Sequence, residues 1–136
     1  MMPWDIMVGQ ARQVRPARVL VAEDGPVGRE LMTALLERLG YTAVVVADAE
    51  LALAAVRQNP PDLALSDISI AGMGGFELCR RLKANPTTRL IPVILVTGIG
   101  EEFRRAGIEA GADEFLAKPV SLKELRLRLA RQLQRV

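Results

Sequence analysis

Glu23 and Asp24, Asp67, Thr97 and Lys118 each stand at the end of a short apolar run, and together their side chains could do chemistry. Carboxylates gathered in one place repel one another at neutral pH, so such a set calls for a cation beside it. Ligation by oxygen alone favours a hard ion, and Mg2+ takes one or two carboxylates, several waters and phosphate oxygens. A carboxylate next to Mg2+ can attack phosphorus and become an aspartyl phosphate. The charge spread over the equatorial oxygens of the transferring group would then be met by the metal, a lysine and a hydroxyl. The chain has no histidine, which removes Ser-His-Asp and Cys-His catalysis and most zinc sites.

These residues can meet only if the elements before them are arranged to bring them together. Arg18 to Ala22, Thr42 to Val46, Leu63 to Leu65, Val93 to Val96 and Glu114 to Leu116 are short, rich in Val, Leu and Ile, and bounded by Gly, Pro or Asp, which predicts strands. Helices are predicted between them. The first runs from about Pro26 to Leu39, with Val27, Leu31, Leu35 and Leu39 as its stripe and Gly40 as its stop. The second follows Asp48 as N-cap and ends before Asn59-Pro60, and the third spans Gly75 to Ala84. The fourth lies near Glu101 to Ala110, closed by Gly111. The fifth follows Ser121, with Glu124 placed as in a capping box and a stripe of Leu122, Leu125, Leu129, Leu133 and Val136. Successive βα units imply an α/β fold, a doubly wound parallel sheet of five strands with five helices on both faces. All strands then end on one edge, where ligands bind.

The chain has 136 residues, half of them hydrophobic and a quarter charged, as in an ordinary soluble domain. Residues 1–16 show no sustained period and are read as a flexible extension, with residues 17–136 as the domain. No apolar run approaches the length of a membrane span, and the start lacks a signal-peptide pattern, so a cytoplasmic setting is expected. Cys79 is the single cysteine and cannot form an internal disulfide; it is read as a helix core or boundary residue without chemistry. Net charge is +2, and Arg126, Arg128, Arg131 and Arg135 are read as a solvated helix face, so no direct nucleic-acid contact is expected. Gly72-Met73-Gly74-Gly75 lacks the spacing of a dinucleotide loop, and no P-loop motif is present.

The stretches VLVAEDGPVGREL, PDLALSDISIAGMGGFELCRRLK, IPVILVTG and GADEFLAKPV resemble the receiver domains of bacterial two-component response regulators. The resemblance covers about Arg18 to Leu133 and rests on separated motifs in the family's order. It implies a flavodoxin-like sheet of order 2-1-3-4-5. It also implies Asp67 as phospho-acceptor, Asp24 as a direct Mg2+ ligand, Glu23 reaching the metal through water, and the Ser69 carbonyl as a further ligand. Lys118 and Thr97 would contact the phosphoryl group, and Phe115 would occupy the aromatic switch position. Lys118-Pro119 is read either as a plain loop or as a proline that fixes the backbone, through a cis bond, so that the lysine points at the site. The implied partners are a sensor histidine kinase or phosphotransfer protein, and a downstream protein or fused effector. The surface of the fourth helix, fifth strand and fifth helix, with Glu101, Arg104, Arg105 and Arg126, would serve output or a homodimer.

The chain departs from the family at several places. Ala71 and Gly74-Gly75 replace the usual Pro and Asp-Gly, predicting a mobile loop. Gly98 follows Thr97, and Phe115 replaces the frequent tyrosine, so that burial alone would drive its rotation. Ile99 cannot orient an attacking water, which predicts a long-lived phosphoryl group. A phosphatase of the haloacid dehalogenase type is disfavoured because Ser69 stands where its second Asp would be. The other alternative is a degenerate receiver, a binding module independent of phosphorylation. Catalysis with turnover is not expected. The chain is read as a stand-alone regulator or a piece of a longer one.

Overall fold

The computed structural model describes residues 15–98 and 101–133. Strands and helices alternate as β1 (Arg18–Ala22), α1 (Pro26–Arg38), β2 (Thr42–Val46), α2 (Ala49–Gln58), β3 (Leu63–Asp67), α3 (Gly75–Ala84), β4 (Val93–Thr97), α4 (Glu101–Ala110), β5 (Glu114–Ala117) and α5 (Leu122–Leu133). The strands pair in parallel in the order β2-β1-β3-β4-β5, the doubly wound arrangement that the sequence predicts. Residues 1–14, Ile99, Arg135, Val136 and the side chain of Glu101 lie outside the described residues.

The apolar strands follow from burial on both sides, since each face of a parallel sheet is covered by crossover helices. Alternate residues serve opposite faces. Val19, Val21, Leu63, Leu65, Ile94 and Val96 pack against Met32 and Leu36 of α1 and Leu125 and Leu129 of α5. Leu20, Ala22, Ala64, Val93 and Leu95 pack against Ala52 and Val56 of α2, Leu78, Cys79 and Leu82 of α3, and Ala110 of α4. The sheet thus separates two cores.

The helix ends follow local chemistry. The Asp48 carboxylate accepts from the Leu51 N–H at 2.8 Å, and the Ser121 hydroxyl accepts from the Glu124 N–H at 3.1 Å. The first helix differs from the expected stripe. Val27 and Leu31 are 77% and 52% exposed, while Met32 and Leu36 are buried. Each four-residue step along an α-helix overshoots a full turn by about 40°. A series spaced by four therefore winds off the core face, and only its C-terminal members, Leu35 and Leu39, pack against the core.

Candidate functional site

Because the strands are parallel, the loops after β1, β3, β4 and β5 converge at one edge of the sheet. Asp67 is the last residue of β3, paired with Val96 of β4, and is only 5% exposed. It follows Leu63 and Leu65 on the face covered by α1 and α5. Its Oδ1 accepts from the Ser69 N–H at 3.0 Å and from the Ser69 hydroxyl at 2.9 Å, and its Oδ2 accepts from the Lys118 ammonium. Both carboxylate oxygens are therefore held by donors.

Lys118 follows β5, its N–H donating to the Thr97 carbonyl at 2.9 Å, and the Lys118–Pro119 bond is cis. Its ammonium also lies 3.8 Å from Glu23 Oε2. Glu23 follows β1 and is tied to β2 through its N–H on the Val46 carbonyl at 3.0 Å. Asp24 is exposed, and it lies near enough for its charge to act on Lys118. Arg29, on α1, donates from Nη1 to the carbonyls of Glu23 at 3.0 Å and Asp24 at 2.8 Å, clasping the loop that carries both acids. Sequence reasoning passed over Arg29, whose role depends on backbone carbonyls that no motif records.

The charges are coupled. Burial pushes the Asp67 carboxyl up, but hydrogen bonds from Lys118 and Ser69 outweigh it and hold the pKa below the ordinary aspartate value. Lys118 is raised, chiefly by its hydrogen bond to Asp67; burial opposes this, and the charges of Asp67, Glu23 and Asp24 add to it. Below them opens a cleft of about 460 Å³ with apolar walls, among them Leu31, Met32 and Val120, and with Glu23, Asp67 and Lys118 at its polar edge.

A family model described as Response regulator receiver domain matches residues 19–130. The chain belongs to the response regulator receiver family. Response regulator PleD of Caulobacter vibrioides is 42% identical over 105 residues, covering 76% of this chain and 23% of PleD. The signal receiver domain of a signal transduction histidine kinase from Syntrophus aciditrophicus superposes with a TM-score of 0.83 at 35% identity, over 88% of this chain and 92% of that one. The receiver domain of the sensor histidine kinase PA1611 from Pseudomonas aeruginosa, solved with a magnesium ion coordinated in its active site cleft, gives 0.82 at 29% identity, over 88% of this chain and 98% of that one. The chain spans between 16 and 52% of the length of the first curated relatives it matches, among them the DNA-binding response regulator MtrA of Mycolicibacterium smegmatis, 36% identical over 87% of this chain and 51% of MtrA.

The donors of this receiver fit a hard cation by type. Asp67, Glu23 and Asp24 all act on the one Lys118 ammonium, so the acids outnumber it and leave negative charge that a hard cation can neutralise. Among the described residues, no group of three acidic, histidine or cysteine side chains gathers closely enough to cage a metal by itself. Mg2+ needs no such cage, since it keeps several waters.

Two parts of the receiver around this edge carry contacts that the sequence does not record. The loop after β3 is tethered: the Ala71 carbonyl accepts from the Ala49 N–H at 3.1 Å, the Gly75 N–H donates to the Ile68 carbonyl at 3.0 Å, and Ile70 is buried. The half-buried Phe115 ring has more than burial acting on it, because the Arg104 guanidinium sits over its face, 5.3 Å from the centroid. Elsewhere, Arg128 and Arg131 are not simply a solvated face: both donate to the buried Glu114, at 2.9 and 3.2 Å.

Proposed function

We propose that this receiver accepts a phosphoryl group on Asp67 from a sensor histidine kinase or phosphotransfer protein in a Mg2+-dependent reaction. The observation that carries the reading is the Lys118 ammonium on one oxygen of a buried Asp67 whose other oxygen is held by Ser69. A carboxylate kept anionic at neutral pH and fixed at a sheet edge is ready to attack phosphorus as the bond to the donor breaks. Asp24, Asp67 and the Ser69 carbonyl would hold Mg2+ directly and Glu23 through water, and the ion would neutralise charge on the transferring group. Lys118 and the Thr97 hydroxyl meet the phosphoryl oxygens.

Thr97 and Phe115 then relay the change to the surface of α4, β5 and α5, where a downstream protein, a fused effector or a second copy docks. Arg104 and Arg105 are exposed there. The setting is cytoplasmic; among the described residues no helix is long and apolar enough to cross a membrane. Direct contact with nucleic acid is not part of the proposal, since Glu114 engages Arg128 and Arg131. The degenerate binding module is not favoured, because Asp67 and Lys118 are both present and paired. Residues 1–16 are proposed as an extension to the domain at 17–136.

Incubation with acetyl phosphate and Mg2+, followed by intact-mass measurement, tests the function. A gain of a single phosphoryl group, absent in Asp67→Asn and without Mg2+, is expected. Repeated turnover of acetyl phosphate would indicate a phosphatase, and no gain would indicate a binding module.

A further inference from the structure

Gly28 stands in the first turns of α1, where glycine is a poor helix former because it loses more backbone freedom than alanine. A Cβ built on Gly28 would lie 2.8 Å from both Cδ and Oε1 of Glu23 and 2.9 Å from its Cγ. The Glu23 side chain therefore lies across bare helix backbone, in space that any larger residue would fill. Its Oε1 accepts from the Gly25 N–H at 3.0 Å, while its Oε2 faces the Lys118 ammonium at 3.8 Å. One oxygen is fixed by backbone and the other is presented to the site, on a side chain only 15% exposed.

We propose that Gly28 is a positioning residue for the acid pair: its missing side chain leaves the seat in which the Glu23 carboxylate rests and aims Oε2 at the cation site. The proposal rests on the phosphoryl-accepting reading given above. The atoms that would be struck are Cγ, Cδ and Oε1 of one flexible side chain, not backbone, so alanine here displaces the carboxylate and leaves the fold standing. An alanine at position 23 ends at Cβ, short of all three atoms, which makes the conflict particular to the glutamate side chain. Helix propensity alone would leave Mg2+ affinity unchanged and would raise the unfolding midpoint, since glycine to alanine inside a helix normally stabilises.

Calorimetric titration of the full chain with MgCl2 alone, beside thermal unfolding in EDTA, tests this. Gly28→Ala is expected to raise the Mg2+ Kd about tenfold or more, as loss of support around a ligand does, with no fall in the unfolding midpoint in EDTA. In a background carrying Glu23→Ala, the same substitution should change Kd by less than about twofold, as for sites that do not couple. An unchanged Kd in Gly28→Ala, an equal loss in both backgrounds, or a lowered midpoint in EDTA would each overturn the proposal. Failure of the unaltered chain to bind Mg2+ would instead overturn the reading of the site, and this proposal with it.

Discussion

Asp67 is buried yet held anionic, and the group responsible is testable. A carboxylate with a depressed pKa contributes stability that is complete above its unfolded value and is lost as pH falls through the folded one. Lys118, with a raised pKa, contributes below the ordinary lysine value of about 10.4 and loses that contribution as pH rises through the raised one. In the metal-free chain, Lys118→Met should therefore lower the unfolding midpoint at pH 7. The difference from the unaltered chain should narrow as pH falls below the ordinary aspartate value of about 3.9. A difference that stays constant through that acid range would show that Lys118 does not set the state of Asp67. Phe115 is bounded just as tightly: a Cβ on Gly107 would lie 2.3 Å from its Cε1 and 2.5 Å from its Cζ. Gly107→Ala should cost about 1–3 kcal/mol by overpacking, measured by urea unfolding, and the cost should vanish in a Phe115→Ala background. Stabilisation by Gly107→Ala, as helix propensity alone would give, would place the ring elsewhere.

Among the elements, α5 is held to the sheet by more than its leucines. The buried Glu114 carboxylate, at the start of β5, accepts from Arg128 at 2.9 Å, Arg131 at 3.2 Å and Gln132 at 2.6 Å. Burial pushes that carboxyl up, and the hydrogen bonds from Gln132 and Arg128 with the charges of both arginines more than offset it. Glu114→Ala should cost about 1–3 kcal/mol for the lost charged acceptor and speed amide exchange along Leu122–Leu133. Unchanged exchange there would mean that Leu125 and Leu129 hold the helix alone. This network also shows where sequence reading runs out. Strand positions were legible because burial on both faces leaves an unbroken apolar run. The caps at Asp48 and Ser121 were legible because capping is local. The partners of Glu114 were not, since Arg128 and Arg131 lie far along the chain and look like any polar helix face. The stripe on α1 was misplaced because a spacing of four does not track a fixed direction on a helix. Gly28 and Gly107 did leave a signal: a glycine inside an amphipathic helix asks for a packing reason.

Across the whole molecule, one sheet with a core on each side leaves its C-terminal edge as the place where residues from separate strands can meet. Glu23, Asp67 and Lys118 were each legible as polar residues following apolar strands, and the parallel topology brings them together. What a linear reading could not give is the pairing itself, with the ammonium on one oxygen of Asp67 and Ser69 on the other. The most direct test of the site is to locate the phosphoryl group on the chain. After reaction with acetyl phosphate and Mg2+, borohydride reduction converts an aspartyl phosphate to homoserine, and peptide mass spectrometry finds the altered residue. Homoserine at position 67 and nowhere else is the expected result. A phosphoryl group that survives reduction on Ser69 or Thr97, or a reduced residue at Glu23 or Asp24, would contradict it.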